Sequence, residues 1–163
     1  MKVLVTGAHG FVGKNLCAQL NNIKAGKAKS YPVILSEVME YDLDTDPALL
    51  DEYCRQADFV FNLAGVNRPQ DPGEFMKGNF GFASTLLDAL KKYGNTCPVM
   101  ISSSTQAALD NLYGESKRAG EQLMFDYSRE TGAKVLVYRF PNVFGKWCRP
   151  NYNSAIATFC NNI

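Results

Sequence analysis

Val3, Leu4 and Val5 form an unbroken apolar run that meets a glycine-punctuated turn, Gly7-Ala8-His9-Gly10-Phe11-Val12-Gly13. Behind it Val12, Leu16, Leu20 and Ile23 recur at spacings of four and three. A run that is apolar at every position suits a strand buried on both faces, and the recurring stripe suits a helix that lays one face on a sheet. The chain therefore opens with a strand over 3–6, a tight turn and a helix. Residues 33–35 predict a second strand, 49–54 a helix, and 59–64 a third strand that is apolar at nearly every position. Leu86, Leu87 and Leu90 at helical spacing predict a helix over 80–93, followed by a strand at 99–102, a long helix at 113–131 and a fifth strand at 135–138. Two prolines and a glycine mark 67–73 as a surface loop. A helical pattern over 154–159 meets neither a capping glycine nor a proline, which reads as a truncated element.

The order is strand and helix in alternation, which predicts an α/β fold: a doubly wound, Rossmann-like parallel sheet with right-handed crossovers and ligands at the carboxyl ends of its strands. A length of 163 residues fits one domain, 1–163, on a prior of roughly 150 residues each. Lys and Arg number 17 against 16 Asp and Glu, so a net charge of +1 supplies no general field for nucleic acid or an anionic membrane. Any bound anion has to be held locally. Cys17, Cys54, Cys97, Cys148 and Cys160 contain no CxxC pair and read as reduced thiols, not as a disulfide or zinc framework. With His9 as the single histidine, acid/base work falls to Tyr, Lys, Ser and carboxylates. Neither a signal-peptide core nor a membrane-spanning run is visible, so the expected location is cytoplasmic.

Three groups of residues carry chemistry. Gly7, Gly10 and Gly13 stand between a predicted strand and a predicted helix, where glycine lets the backbone approach a pyrophosphate and the helix N-terminus offers free N–H groups to it. His9 within that loop is expected to be an exposed side chain. Tyr113 and Lys117, four apart, share one face of the long helix, and an ammonium beside a phenol favours the phenolate, lowering its pKa. Ser102, Ser103, Ser104 and Thr105 close the fourth strand, where a hydroxyl can donate to a carbonyl oxygen as negative charge grows on it.

These groups come in one order, with Asn62-Leu63-Ala64-Gly65 after the third strand, Asn79 ahead of Leu86-Leu87-Asp88-Ala89, and Arg139-Phe140-Pro141-Asn142-Val143-Phe144-Gly145 after the fifth. Together they resemble the extended short-chain dehydrogenase/reductases, which include nucleotide-sugar epimerases, dehydratases and reductases. SSSTQA, NLYGESK and FGKWCRPNYNSAIATF are most similar to the capsule-synthesis reductases of that family. In those enzymes a similar N-terminal domain reduces the C4 ketone of a UDP-linked 6-deoxy-hexulose with NADPH, and a C-terminal cupin domain epimerises the sugar. The resemblance implies that Ser104, Tyr113 and Lys117 are the catalytic residues. It implies cofactor contacts at Gly7, Gly10, Phe11, Val12, Gly13, Asp42, Leu43, Leu63, Ala64, Gly65, Asn79, Ser102, Tyr113, Lys117, Arg139 and Pro141. Substrate contacts are implied at Asn67, Arg68, Ser103, Ser104 and Asn142, with no metal.

The implied cofactor is NADP(H), with NAD(H) as the alternative. Ser36 and Glu37 compete for the end of the second strand: Ser36 there tolerates a 2′-phosphate, whereas an inward Glu37 accepts the ribose hydroxyl of NAD. The implied substrate is a nucleotide sugar, and the implied assembly of the full-length enzyme is a homodimer, for which Phe125 and Tyr127 are interface candidates although core is the expected place for both. The substrate lobe and cupin domain are absent from these 163 residues, so the isolated chain is expected to have negligible reductase activity. A 4-epimerase using tightly held NAD and a non-catalytic dinucleotide-binding module are the competing readings. A 4,6-dehydratase is disfavoured because Thr105-Gln106 stand where its Asp-Glu pair is expected.

Overall fold

The alternation read from the hydrophobic pattern is present in a computed structural model of the chain, which describes residues 1–67 and 69–163. Arg68, an expected substrate contact, lies outside the described residues. The strands are β1 (Lys2–Thr6), β2 (Glu37–Tyr41), β3 (Phe59–Asn62), β4 (Val99–Ser104) and β5 (Val135–Phe140). Among the described residues they form one parallel sheet in the order β2-β1-β3-β4-β5. The chain leaves β1 toward β2 on one side and returns to β3 on the other, so the carboxyl ends of β1 and β3 flank the crevice at which the strand order switches.

Alternation along β1 builds two cores. Val3 and Val5 pack against α1 (Phe11–Lys24) through Cys17 and Leu20. Leu4 faces the opposite layer, where Leu50 and Cys54 of α2 (Ala48–Gln56), Leu86 and Leu90 of α4 (Phe82–Lys92), and Met124 and Tyr127 of α5 (Leu112–Thr131) cover Val60 and Val99. Asn111 caps α5 by accepting from Gly114 N–H at 2.7 Å, and Gly132, with φ +74°, ends it in the left-handed region. Tyr127 lies in the core with its hydroxyl donating to Asn95 O at 3.1 Å, whereas Phe125 is exposed.

The structure departs from the sequence reading in three places. The second strand is 37–41, not 33–35: Ile34 is 89% exposed, and it is Glu37–Tyr41 that pairs with β1. An edge strand tolerates the alternating EVMEY pattern, which a search for apolar runs passes over. The stripe on α1 is centred one residue later than read, on Gly13, Cys17 and Leu20, because the helix presses its glycine on the opening turn. The helix expected from 80 begins earlier, as α3 (Gly73–Phe75), a π-helical turn (Met76–Gly81) and then α4. A Cβ on Gly78 would lie 2.3 Å from Val66 Cγ2, so this wound segment packs closely on the chain after β3.

Leu86 is fully buried between sheet and helices. Leu86→Ala should therefore lower the unfolding free energy by about 2–5 kcal/mol, measured by urea denaturation, through lost burial and the cavity left behind.

Candidate active site

The glycine turn is built by steric necessity. Gly7 has φ +69°, and a Cβ there would lie 2.6 Å from Ala64 N; a Cβ on Gly13 would lie 2.0 Å from Gly7 O. With no side chains in the way, α1 starts directly under the loop. Its first turn holds no acidic residue and its N-cap, Gly10, supplies no side-chain acceptor, so the first N–H groups of α1 face the crevice without a side-chain cap. That is the donor set and the dipole end that a pyrophosphate requires.

From this turn a cavity of about 1100 Å³ runs across the carboxyl ends of the strands. Gly7, Gly10, Phe11, Val12 and Gly13 line one end, Leu63, Gly65 and Asn67 follow β3, and Ser102, Ser103 and Ser104 close β4. Tyr113 and Lys117 from α5, and Pro141 and Asn142 after β5, complete the lining among the expected residues. The fold thus brings the three expected catalytic side chains to the cavity that begins at the glycine turn.

Ser104 accepts from Gln106 N–H at 3.1 Å, fixing its hydroxyl at the head of a short 3₁₀ turn (Thr105–Ala108). Tyr113 donates to Asn67 Oδ1 at 3.2 Å and packs against Phe75 with ring centroids 5.6 Å apart. Burial pushes its pKa up, and the neighbouring Ser104 hydroxyl pulls against that. The lowering expected from Lys117 is not found: the ammonium donates to Ser102 O at 3.3 Å and lies 5.6 Å from the tyrosine ring centroid, so it does not act on the phenol oxygen. Desolvation instead brings Lys117 itself down from 10.5 to about 8.

Other expected residues stand just outside the cavity lining. Asn79, presented by the π-helical turn, is buried: its Oδ1 accepts from Val66 N–H at 3.0 Å, and its Nδ2 donates to Val66 O at 3.1 Å and Ser116 Oγ at 3.0 Å. It braces the wall that Gly65 forms, where a Cβ would meet Asn79 Oδ1 at 2.6 Å and Lys117 Nζ at 3.2 Å. Ala64 gives its backbone to the packing against Gly7. Asp42 accepts from His9 N–H at 2.7 Å beside the glycine turn, with Leu43 fully exposed next to it. His9 is exposed, as expected, and its Nδ1 lies 2.9 Å from Asp44 Oδ1. Arg139 turns away from the cavity. It is in register with Ser103, so both reach the same α5 residue: the guanidinium donates to Glu121 at 2.8 and 2.6 Å, and Ser103 Oγ donates to Glu121 Oε1.

Two features escaped the sequence reading. Glu121, four residues beyond Lys117, is 5% exposed, and the Arg139 guanidinium holds its carboxyl below the usual range. A carboxylate in step with Tyr113 and Lys117 was the available signal. Trp147, Cys148, Arg149 and Tyr152 also line the cavity, because Lys146 O accepts from Asn15 Nδ2 at 2.8 Å and ties the chain after β5 to α1. Nothing local marks that return.

Burial of Lys117 has a measurable pH signature. The unfolded chain keeps the lysine proton to about 10.5 whereas the folded chain releases it near 8, so between those values the unfolded state binds more protons and this group's contribution to stability rises with pH. The stability difference between Lys117→Met and the unsubstituted chain should therefore shift in favour of the lysine from pH 8 to pH 10 in parallel denaturant titrations. A difference constant with pH would mean that Lys117 titrates normally.

Residues 3–163 match the NAD dependent epimerase/dehydratase family. The chain is 48% identical, over all 163 residues, to the UDP-2-acetamido-2,6-beta-L-arabino-hexul-4-ose reductase of Pseudomonas aeruginosa, and spans 41% of that protein's length. It is similar in structure to the capsular polysaccharide assembling protein CapF from Staphylococcus aureus, with a TM-score of 0.80 and 45% identity, covering 98% of this chain and 41% of that one. RMD from Pseudomonas aeruginosa, solved with NADPH, follows with a TM-score of 0.65 and 28% identity over 87% of this chain and 55% of that one. A family match over nearly the whole length, on a fold that brings glycine turn, strand-end serines, tyrosine and lysine to one cavity, establishes that the chain belongs to the NAD dependent epimerase/dehydratase family of extended short-chain dehydrogenase/reductases.

Proposed function

We propose that this chain, residues 1–163, is the dinucleotide-binding and catalytic domain of a reductase acting on the C4 ketone of a UDP-linked 4-keto-6-deoxy N-acetylamino sugar in capsular polysaccharide precursor synthesis. The observation that carries the reading is the convergence of Ser104, Tyr113 and Lys117 on the cavity that starts at the glycine turn. The 48% identical relative bears the name of such a reductase, and the structural neighbour CapF is titled a capsular polysaccharide assembling protein.

The first turn of α1 and the glycine loop would hold the pyrophosphate, and Lys117 the nicotinamide ribose. Reduced nicotinamide, when bound, supplies the hydride that reaches C4. The chain's own residues handle the proton and the oxygen. Burial keeps the Tyr113 phenol protonated at neutral pH, which is the form needed to deliver a proton to the carbonyl oxygen as it gains electrons. The Ser104 hydroxyl, fixed by Gln106 N–H, donates to the same oxygen. Asn67 and Asn142 line the cavity as substrate contacts. The chain spans 41% of the length of these relatives, and a substrate lobe would belong to the remainder. The protein is read as a cytoplasmic homodimer; among the described residues no helix is long and apolar enough to cross a membrane.

In a protein that carries the relatives' remaining length, Tyr113→Phe should reduce ketone reduction by at least about a hundredfold, the low end for a positioned general acid, with dinucleotide affinity changed little. Consumption of reduced nicotinamide with substrate checks the activity, and fluorescence titration checks binding. Turnover that survives the substitution removes Tyr113 from the reaction, and turnover without net cofactor consumption identifies an epimerase.

A further inference from the structure

Glu121 is buried and does not line the cavity, so the chemistry proposed above gives it no task. Taking a carboxylate out of water costs more than packing an apolar side chain in the same space, and stability by itself therefore does not call for it. Its contacts are all with the strands that end at the cavity. Oε1 accepts from Ser103 Oγ and, at 2.8 Å, from Arg139 Nε, and Oε2 accepts from Arg139 Nη2 at 2.6 Å. Ser103 and Arg139 are register partners on β4 and β5, so one side chain of α5 ties down the carboxyl ends of both strands. The ties to β4 run through consecutive residues. Gly120 lies against Ile101, where a Cβ would stand 3.5 Å from Ile101 Cδ1; the Lys117 ammonium donates to Ser102 O at 3.3 Å; and Glu121 accepts from Ser103. The next residue of the strand is Ser104.

Resting on the reductase reading above, we propose that Glu121 is a positioning residue: through Ser103 and Arg139 it locks the ends of β4 and β5 against α5, and so sets the Ser104 hydroxyl and the Tyr113 phenol at the separation from which both reach one carbonyl oxygen. Ser104 belongs to β4 and Tyr113 to α5, so that separation changes whenever the helix slides on the sheet. Apolar packing resists sliding weakly, because it has no preferred direction. Hydrogen bonds to a carboxylate are directional and charge-assisted, and Glu121 makes three of them. Successive side chains of a strand alternate between its faces, so holding Ser103 also fixes the pleat from which Ser104 projects. The Arg139 guanidinium holds the Glu121 carboxyl below its usual range, which keeps the clamp charged at neutral pH.

Two substitutions test this in a protein that carries the relatives' remaining length. Glu121→Gln keeps the shape but has one carbonyl oxygen and one amide donor, so it cannot accept all three hydrogen bonds. Ser103→Ala cuts the tie to β4 and leaves the carboxylate with its guanidinium, so the fold is retained even where Glu121→Gln does not fold. Each should lower kcat for the UDP-linked ketone at least about tenfold, toward the roughly hundredfold that a misplacement on the order of 1 Å costs. The KM for the sugar and the affinity for NADPH and NADH, titrated by fluorescence of the reduced nicotinamide, should stay unchanged. The two losses should not add: the double variant should be within about twofold of the slower single one. An undiminished kcat in Ser103→Ala overturns the proposal whatever Glu121→Gln does, and leaves Glu121 as a support of the fold alone. A raised KM with kcat intact overturns it as well, by making Ser103 a substrate contact, and so do losses that multiply in the double variant. No ketone reduction by the unsubstituted protein overturns the reductase reading itself, and this proposal with it.

Discussion

Helix α1 can reach the first strand only because position 13 carries no side chain: the distance from its would-be Cβ to the carbonyl oxygen of Gly7 is 2.0 Å, well inside any allowed contact. From that closeness the rest follows. The first turn of α1 is delivered, without a side-chain cap, to the crevice where the strand order reverses, and Gly7 is pressed in turn on the backbone of Ala64, which sets the height of the chain leaving β3. That chain then carries Gly65 to Asn67 along the cavity toward Tyr113.

The opposite wall depends on a buried carboxylate. Tyr113, Lys117 and Glu121 succeed one another at intervals of four on α5, so one face of the helix presents phenol, ammonium and carboxylate to the sheet edge. The first two reach the cavity, and the third binds Ser103 of β4 and Arg139 of β5. Removing a carboxylate from water is costly unless its lone pairs are met, and here a bidentate guanidinium and a hydroxyl meet them. The result is a three-element clamp one residue from Ser104. Among the described residues Lys117 has no such carboxylate partner. Its ammonium donates to a backbone carbonyl and lies beside the Tyr113 ring, neither of which carries a full negative charge to offset burial, so desolvation lowers its pKa.

The same contrast runs across the cavity. At the glycine-turn end the cavity is faced by backbone N–H groups, with carboxylates at the corner beyond; at the Ser104 end it is lined by a lysine and by two hydroxyl groups whose hydrogen bonds are fixed. Membership of the family follows from the match along the chain and from this arrangement together.

The sequence by itself determined the alternation of strands and helices, the glycine turn between β1 and α1, the serine cluster that ends β4 and the spacing of four between Tyr113 and Lys117, because each is encoded locally: runs, stripes and spacings of four survive without any partner, whereas the roles of Ser104, Tyr113 and Lys117 were implied by the family resemblance. Tertiary structure decided which segment became β2, since an edge strand is chosen by its register with β1 and not by its own hydrophobicity, and Val33 to Leu35 are more apolar than the segment that pairs. It likewise decided that Asp42 stands at the glycine turn, that Asn79 braces Gly65 from a π-helical turn, that Arg139 serves Glu121, and that Trp147 returns to the cavity. Each of these depends on a contact between residues far apart in the chain, and no local pattern records where such a partner will be.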